Sequence, residues 1–186
     1  MEKGYSYLLK NLSDSIFEMM LKLGEKHNSS MCIYYTPDLV AYLLGLSERE
    51  AVLAMKGFKP FAMAELGRLD IERASDGRIG IRVYSEGIDK IMEINPRKHF
   101  LGELIEKIRD RNCSLDEIKN IFEKESSDYT CEKIDDSEFQ YVIFFNDKNI
   151  DEYKYCFTFD IMGSYYHRLI DYDFDRLVHH SCKTER

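Results

Sequence analysis

Two stretches decide the reading: Thr36-Pro-Asp-Leu-Val-Ala-Tyr-Leu-Leu-Gly-Leu-Ser-Glu-Arg-Glu50 and Leu69-Asp-Ile-Glu-Arg-Ala-Ser-Asp-Gly-Arg-Ile-Gly-Ile-Arg-Val-Tyr84. In the first, Thr36 reads as an N-cap and Pro37 as the first helical residue, where a missing N–H costs nothing. The short helix that follows turns Leu39, Val40, Leu43 and Leu44 inward and stops at Gly45. After a two-residue turn, Ser47-Glu-Arg-Glu50 is a capping box opening a second helix. That helix buries Ala51, Val52, Met55, Phe58 and Ala62; Gly57 and Pro60 weaken it and either kink it or end it near residue 59. In the second stretch Leu69, Ile71 and Arg73 alternate with Asp70 and Glu72, and Ile79, Ile81 and Val83 alternate with Gly80 and Arg82. Asp76-Gly77 between the arms marks a hairpin, whose acidic arm can pair with its basic arm on the wet face.

Working outward, Tyr5, Leu8, Leu9, Leu12, Ile16, Met19, Met20 and Leu23 recur at helical spacing, with Gly24 as the stop. Met31 to Tyr35 is a short β-favouring run. After Ser85 the pattern returns to helix: one holding Ile88, Ile91 and Met92, interrupted at Asn95-Pro96, and one carrying Phe100, Leu101, Leu104, Ile105 and Ile108. A third opens on a further capping box, Ser114-Leu-Asp-Glu117. The last third holds four β-favouring runs, Tyr129 to Ile134, Phe139 to Phe145, Glu152 to Phe159 and Ser164 to Ile170, spaced as an antiparallel meander. Phe139 to Phe145 is apolar on both faces and reads as a central strand. A short helix near Asp171 to Val178 and a mobile polar tail from Ser181 complete the expectation.

The order of the first half, helix, strand, helix, tight turn, helix, hairpin, resembles the winged-helix variant of the helix-turn-helix, with a recognition-type helix starting at Glu48 and a wing at 68–84. The whole chain also resembles an uncharacterised bacterial family of unknown function. The phrases that carry this likeness are Ile33-Tyr-Tyr-Thr-Pro-Asp-Leu39, Cys131-Glu-Lys-Ile134 with Phe139-Gln-Tyr-Val-Ile-Phe-Phe145, and Tyr153-Lys-Tyr-Cys-Phe-Thr158 followed by Tyr166-His-Arg168. Such a family lends no catalytic residue and no ligand. The expected architecture is α+β: a winged-helix-like unit at 1–95 with a helical connector, then helices and a four-stranded antiparallel sheet at 96–186, which could form one compact body.

Composition narrows the class. The 186 residues are 44% hydrophobic and 13% aromatic, with a net charge of -8, which speaks for a folded body. No run approaches the roughly 18 apolar residues that span a bilayer. Met1-Glu-Lys-Gly-Tyr-Ser-Tyr7 lacks the features of a signal peptide, so a cytoplasmic location is expected. Five widely spaced cysteines read as reduced, mostly buried thiols. Zinc held by Cys131, Cys156 and His167 is weighed and set aside for want of closer spacing. Asp171 to Asp175 lacks the glycine and glutamate of a calcium loop.

No phosphate loop, HExxH or nucleophile elbow occurs, so no catalytic residue, cofactor or metal is assigned. Arg49, Lys56 and Lys59 on the second helix, and Arg68, Arg73, Arg78 and Arg82 on the wing, form the candidate contact surface for a protein or DNA partner. Residues 1–96 nevertheless carry 12 basic and 14 acidic side chains, less basic than DNA-binding domains usually are. A protein partner fits that charge better. The alternative is a small-molecule-binding protein or enzyme whose pocket lies between the C-terminal sheet and helices, lined by Tyr141, Tyr153, Tyr155, Tyr165 and Tyr166.

Overall fold

The computed structural model describes residues 1–24, 29–109, 113–134, 139–160, 163 and 166–169. The expected helix at Asp171 to Val178, the tail, the Asp171 to Asp175 loop and Tyr165 lie outside the described residues. The chain is α+β and divides into two compact units, Met1–Pro96 and Arg97–Arg186.

The first unit opens with α1 (Glu2–Leu23) and β1 (Ser30–Tyr35), followed by α2 (Pro37–Leu44) and α3 (Glu48–Leu66). Thr36 is the backbone N-cap of α2, but its hydroxyl makes no cap hydrogen bond. At the other end Gly45 is left-handed (φ 66°), and the Gly45 and Leu46 amides donate back to the Tyr42 and Ala41 carbonyls. Only a residue without Cβ takes this conformation freely, so Gly45 sets the sharp corner between the helices. Ser47 then closes its capping box: its hydroxyl accepts from the Glu50 amide, and the Glu50 carboxylate accepts from the Ser47 amide at 3.1 Å.

The sequence left open whether Pro60 kinks or ends this helix, and the ending is excluded. α3 runs on to Leu66 because Phe58, Ala62 and Leu66 are all buried on its inner side. Tyr5 of α1 also lies across it. The Tyr5 hydroxyl donates to the Ala54 carbonyl at 2.9 Å, and its ring packs against Phe58 and Phe61. Gly57 leaves room for this crossing, since a Cβ there would stand 2.4 Å from the Tyr5 hydroxyl. These contacts offset the one backbone hydrogen bond that proline removes.

The hairpin is β2 (Leu69–Arg73) and β3 (Ile79–Tyr84), turning through Asp76 and Gly77. Its arms pair with each other and β3 also pairs with β1, giving an antiparallel sheet of order β1-β3-β2. The register stacks Ile33, Ile81 and Ile71 in one row and Met31, Val83 and Leu69 in the next. Helix α4 (Ser85–Met92) packs on α1 and α3 and belongs to this unit.

Helix α1 departs from its expected stripe. Met19 and Leu23 are exposed, whereas Asn11, Asp14 and Glu18 are buried. Buried polar groups need partners, and Asn11 accepts from the Tyr35 hydroxyl at 3.1 Å while Lys10 reaches Asp14 at 3.0 Å.

A 3₁₀ turn at Pro96–Lys98 spans the boundary, and the second unit continues with α5 (Phe100–Arg109) and α6 (Leu115–Glu125). Four strands follow, β4 (Thr130–Lys133), β5 (Tyr141–Asn146), β6 (Lys154–Phe159) and β7 (Tyr166–Leu169), paired as an antiparallel meander in sequence order. Of the two central strands, β6 is the more deeply buried, with every residue from Tyr155 to Phe159 inside. Rings fill the interface between this sheet and its helices. Phe100 lies 5.3 Å from Phe145 and 4.9 Å from Tyr155; Phe122 lies 5.3 Å from Phe145 and 5.1 Å from Phe157.

Two substitutions test these packings by calorimetry. A Cβ on Gly4 would stand 2.8 Å from the Leu44 Cα, so Gly4→Ala is expected to destabilise the first unit by about 2 kcal/mol. Phe122→Ala should cost the second unit about 4 kcal/mol through the cavity it leaves.

Candidate binding surface

The seven candidate cations lie on α3 and on both faces of the hairpin, Arg73 on the face of Ile71 and Arg82 on the opposite one, and they fall into two kinds. Four are engaged by the protein's own groups. Lys59 meets the Asp70 carboxylate at 3.2 Å, and Arg68 approaches it at 4.0 Å while lying over the Tyr84 ring. Arg78 Nε donates to Asp76 at 2.7 Å and its guanidinium lies over the Tyr34 ring. Arg82 reaches Glu72 at 3.4 Å. The expected pairing between hairpin arms is thus present for Glu72 and Arg82. Asp70 is instead drawn to α3, and hydrogen bonds from Tyr84 and then Lys59 hold its carboxyl below the ordinary range. The remaining three, Arg49 and Lys56 on α3 and Arg73 at the end of β2, are exposed and have no ion pair among the described residues.

The outward face of α3 is not uniformly polar. Leu53, one turn from Arg49 and one from Lys56, is 59% exposed, and Met63 further along is exposed as well. Beside this face a groove of about 440 Å³ runs between α3 and the hairpin. Its floor is Val52, Met55, Ile71 and Ile79, and its rim holds Lys56, Lys59, Arg73 and Glu72. Neither Leu53 nor the groove was singled out by the sequence pattern. Leu53 carried a usable signal, being an apolar residue on the side of the helix that the cations mark as wet. The groove carried none, because Ile71 and Val52 meet only through tertiary packing.

On the open face of the three-stranded sheet, Glu72 also accepts from the Tyr34 hydroxyl at 3.0 Å, with the Cys32 thiol 3.7 Å away. Partial burial raises the Cys32 pKa, outweighing the lowering by Tyr34 and Arg82. Cys131 is likewise raised by burial. Both stay protonated thiols near neutrality and lack the thiolate character of a nucleophile.

In the second unit Tyr153, Tyr155 and Tyr166 behave as core, while Tyr141 is half-buried. Tyr155 stacks on Phe145, Tyr153 packs edge-on against Tyr155, and Tyr166 sits 5.8 Å from both Phe157 and Phe159. The strand register also parts the three residues weighed for zinc. Cys131 opposes Ile143 and shares the helix-facing side with Phe157, whereas Cys156 and His167 fall on the other side with Thr158. They cannot converge on one ion.

A second groove, about 640 Å³, lies between α5 and α6 and is lined mostly by charged residues that pair with each other. Lys107 donates to Glu117 at 2.7 Å and Lys124 lies 4.0 Å from Glu103. Glu117 also closes the capping box of α6, accepting from the Ser114 amide at 2.9 Å. No helix among the described residues is long and apolar enough to cross a membrane.

A family model for a domain of unknown function, DUF3877, described from the bacterium E. rectale, matches residues 5–178. No curated protein and no solved structure matches the chain.

The Glu117 carboxyl gives a pH test. The Lys107 hydrogen bond, and after it the Ser114 amide, lower it from 4.5 to about 2. A depressed carboxyl contributes stability that is complete above its unfolded value and is lost as pH falls through the folded one. Glu117→Gln should therefore flatten the loss of stability between pH 4.5 and 2, as followed by chemical denaturation at a series of pH values. Identical slopes for variant and parent would refute it.

Proposed function

The chain belongs to DUF3877, a bacterial family of unknown function, and we propose that it is a non-enzymatic cytosolic binding module. On this reading the first unit is a winged-helix-like domain, and its α3–hairpin face takes a protein partner. The single observation that carries the proposal is Leu53. A large apolar side chain, 59% exposed, sits between Arg49 and Lys56, which have no ion pair among the described residues, and beside an apolar groove. Exposed apolar area framed by charge is the anatomy of a contact surface, with a greasy centre and a polar rim.

Electrostatics favour protein over DNA. Duplex binding is dominated by cations available to phosphates, and here Lys59, Arg68, Arg78 and Arg82 are held by Asp70, Asp76 and Glu72. Three candidate cations without an ion pair among the described residues, in a unit with more acidic than basic residues, give little steering toward a polyanion. The filled ring interface of the second unit supports the non-enzymatic part of the reading, because the place where a pocket was weighed holds side chains instead.

The test places a photo-crosslinking amino acid at position 53 of the full chain in its native host, with the same group at the exposed Asp116 as control. The expected result is a discrete protein adduct at 53, absent at 116, and reduced at least about fivefold by Arg49→Glu with Lys56→Glu. In parallel, duplex DNA at low salt should give no shift. A DNA complex weakened both by salt and by that double variant would replace the protein partner with nucleic acid.

A further inference from the structure

One wall of the α3–hairpin groove is an open strand edge. In the β1-β3-β2 sheet, β2 pairs with β3 on one side and with no described residue on the other. Alternate backbone N–H and C=O groups along Leu69–Arg73 therefore face outward without a strand partner. The groove lining includes Ile71 and Arg73, which share a face in β2, and also Glu72, which belongs to the opposite face. A cavity that touches both faces of one strand runs along that strand's edge. Backbone hydrogen-bonding groups, an apolar floor and a charged rim thus line the same channel.

We propose that this channel binds an extended acidic peptide, which adds to the outer edge of β2 as a fourth strand. Its alternate apolar side chains lie on Val52, Met55, Ile71 and Ile79, and its carboxylates meet Lys56 and Arg73. This mode takes affinity from main-chain hydrogen bonds and selectivity from side-chain pockets. The proposal rests on the reading of the preceding subsection, that this face takes a protein partner, and names the chemistry of the segment that docks.

The sign of the charge follows from which rim groups are already held. Glu72 Oε1 lies within reach of Arg82 and the Tyr34 hydroxyl, and Lys59 is held by Asp70. Lys56 and Arg73 have no ion pair among the described residues, so the charge left to a ligand is positive. The same cations argue against a second copy as occupant, which would bring its own Lys56 and Arg73 to a rim whose unpaired charge among the described residues is already positive. β2 is five residues long, about 17 Å at strand rise, which sets the length of the docked segment.

The probe is acetyl-Asp-Val-Glu-Val-Asp-Val-Glu, titrated into the isotope-labelled full chain and followed by amide chemical shifts. The expected result is saturable shifts confined to 69–73 and 52–59, with no binding by the counterpart carrying Lys at each acidic position. Two further peptides are N-methylated on one or the other set of alternate residues. One of them should lose at least tenfold in affinity, because only one set faces the strand. The Arg73→Glu, Lys56→Glu variant, checked as folded by its spectrum, should lose at least tenfold as well. Absence of shifts, equal binding by the lysine peptide, or full affinity in both N-methylated peptides would each overturn the proposal. If the peptide fails while the position-53 adduct forms, the acidic-strand assignment falls and the protein-partner reading stands.

Discussion

β3 is paired along both of its edges, and the position of every residue on the α3 side follows from that. Ile79, Ile81 and Val83 are buried on its inner side, so sliding the hairpin by one residue would turn all three out to water. Because β1 holds one edge, the hairpin cannot swing away from the body as a free arm. Because β2 takes the other, the outer edge of the sheet falls beside α3. The helix is fixed independently, by the left-handed Gly45 and the Ser47 capping box at its start and by Tyr5 over Gly57 in its middle. The groove is the space left between two elements that are each held from elsewhere.

Charge on this unit is arranged more for orientation than for stability. The pairs Lys59–Asp70, Arg78–Asp76 and Arg82–Glu72 are largely exposed, and such screened surface pairs contribute little to stability. Their larger effect is on the field outside. With four of the seven candidate cations matched, Arg49, Lys56 and Arg73 are the ones left without an ion pair among the described residues, a pattern sparse for a phosphate backbone and well placed around an apolar strip.

Much of this fold was legible because its punctuation is local. Pro37, Gly45, the two capping boxes and Asp76-Gly77 each act within a few residues, and each stands where the sequence put it. What escaped was non-local. Pro60 reads as either a kink or a stop until Phe58, Ala62 and Leu66 are seen to be buried together. Asn11, Asp14 and Glu18 read as the wet side of α1 until Tyr35, 24 positions from Asn11, supplies a hydroxyl. The site was legible to the extent of which residues are cationic and which element carries them. Which of those cations remain available depended on partners such as Asp70 of β2 for Lys59 of α3, and no spacing rule announces those.

The depth of β6 has a consequence for how the chain is made. Synthesis delivers α1 through α4 before the second unit, and the first unit has its own core and sheet by residue 92, so it can fold while the second is still emerging. The second unit has no such grace. Its most oily strand, Tyr155 to Phe159, leaves the ribosome after α5 and α6, whose Phe100 and Phe122 pack on it, and until β7 arrives one side of that strand lies unpaired and sticky. Vectorial production thus concentrates the aggregation hazard into the interval between the emergence of β6 and that of β7.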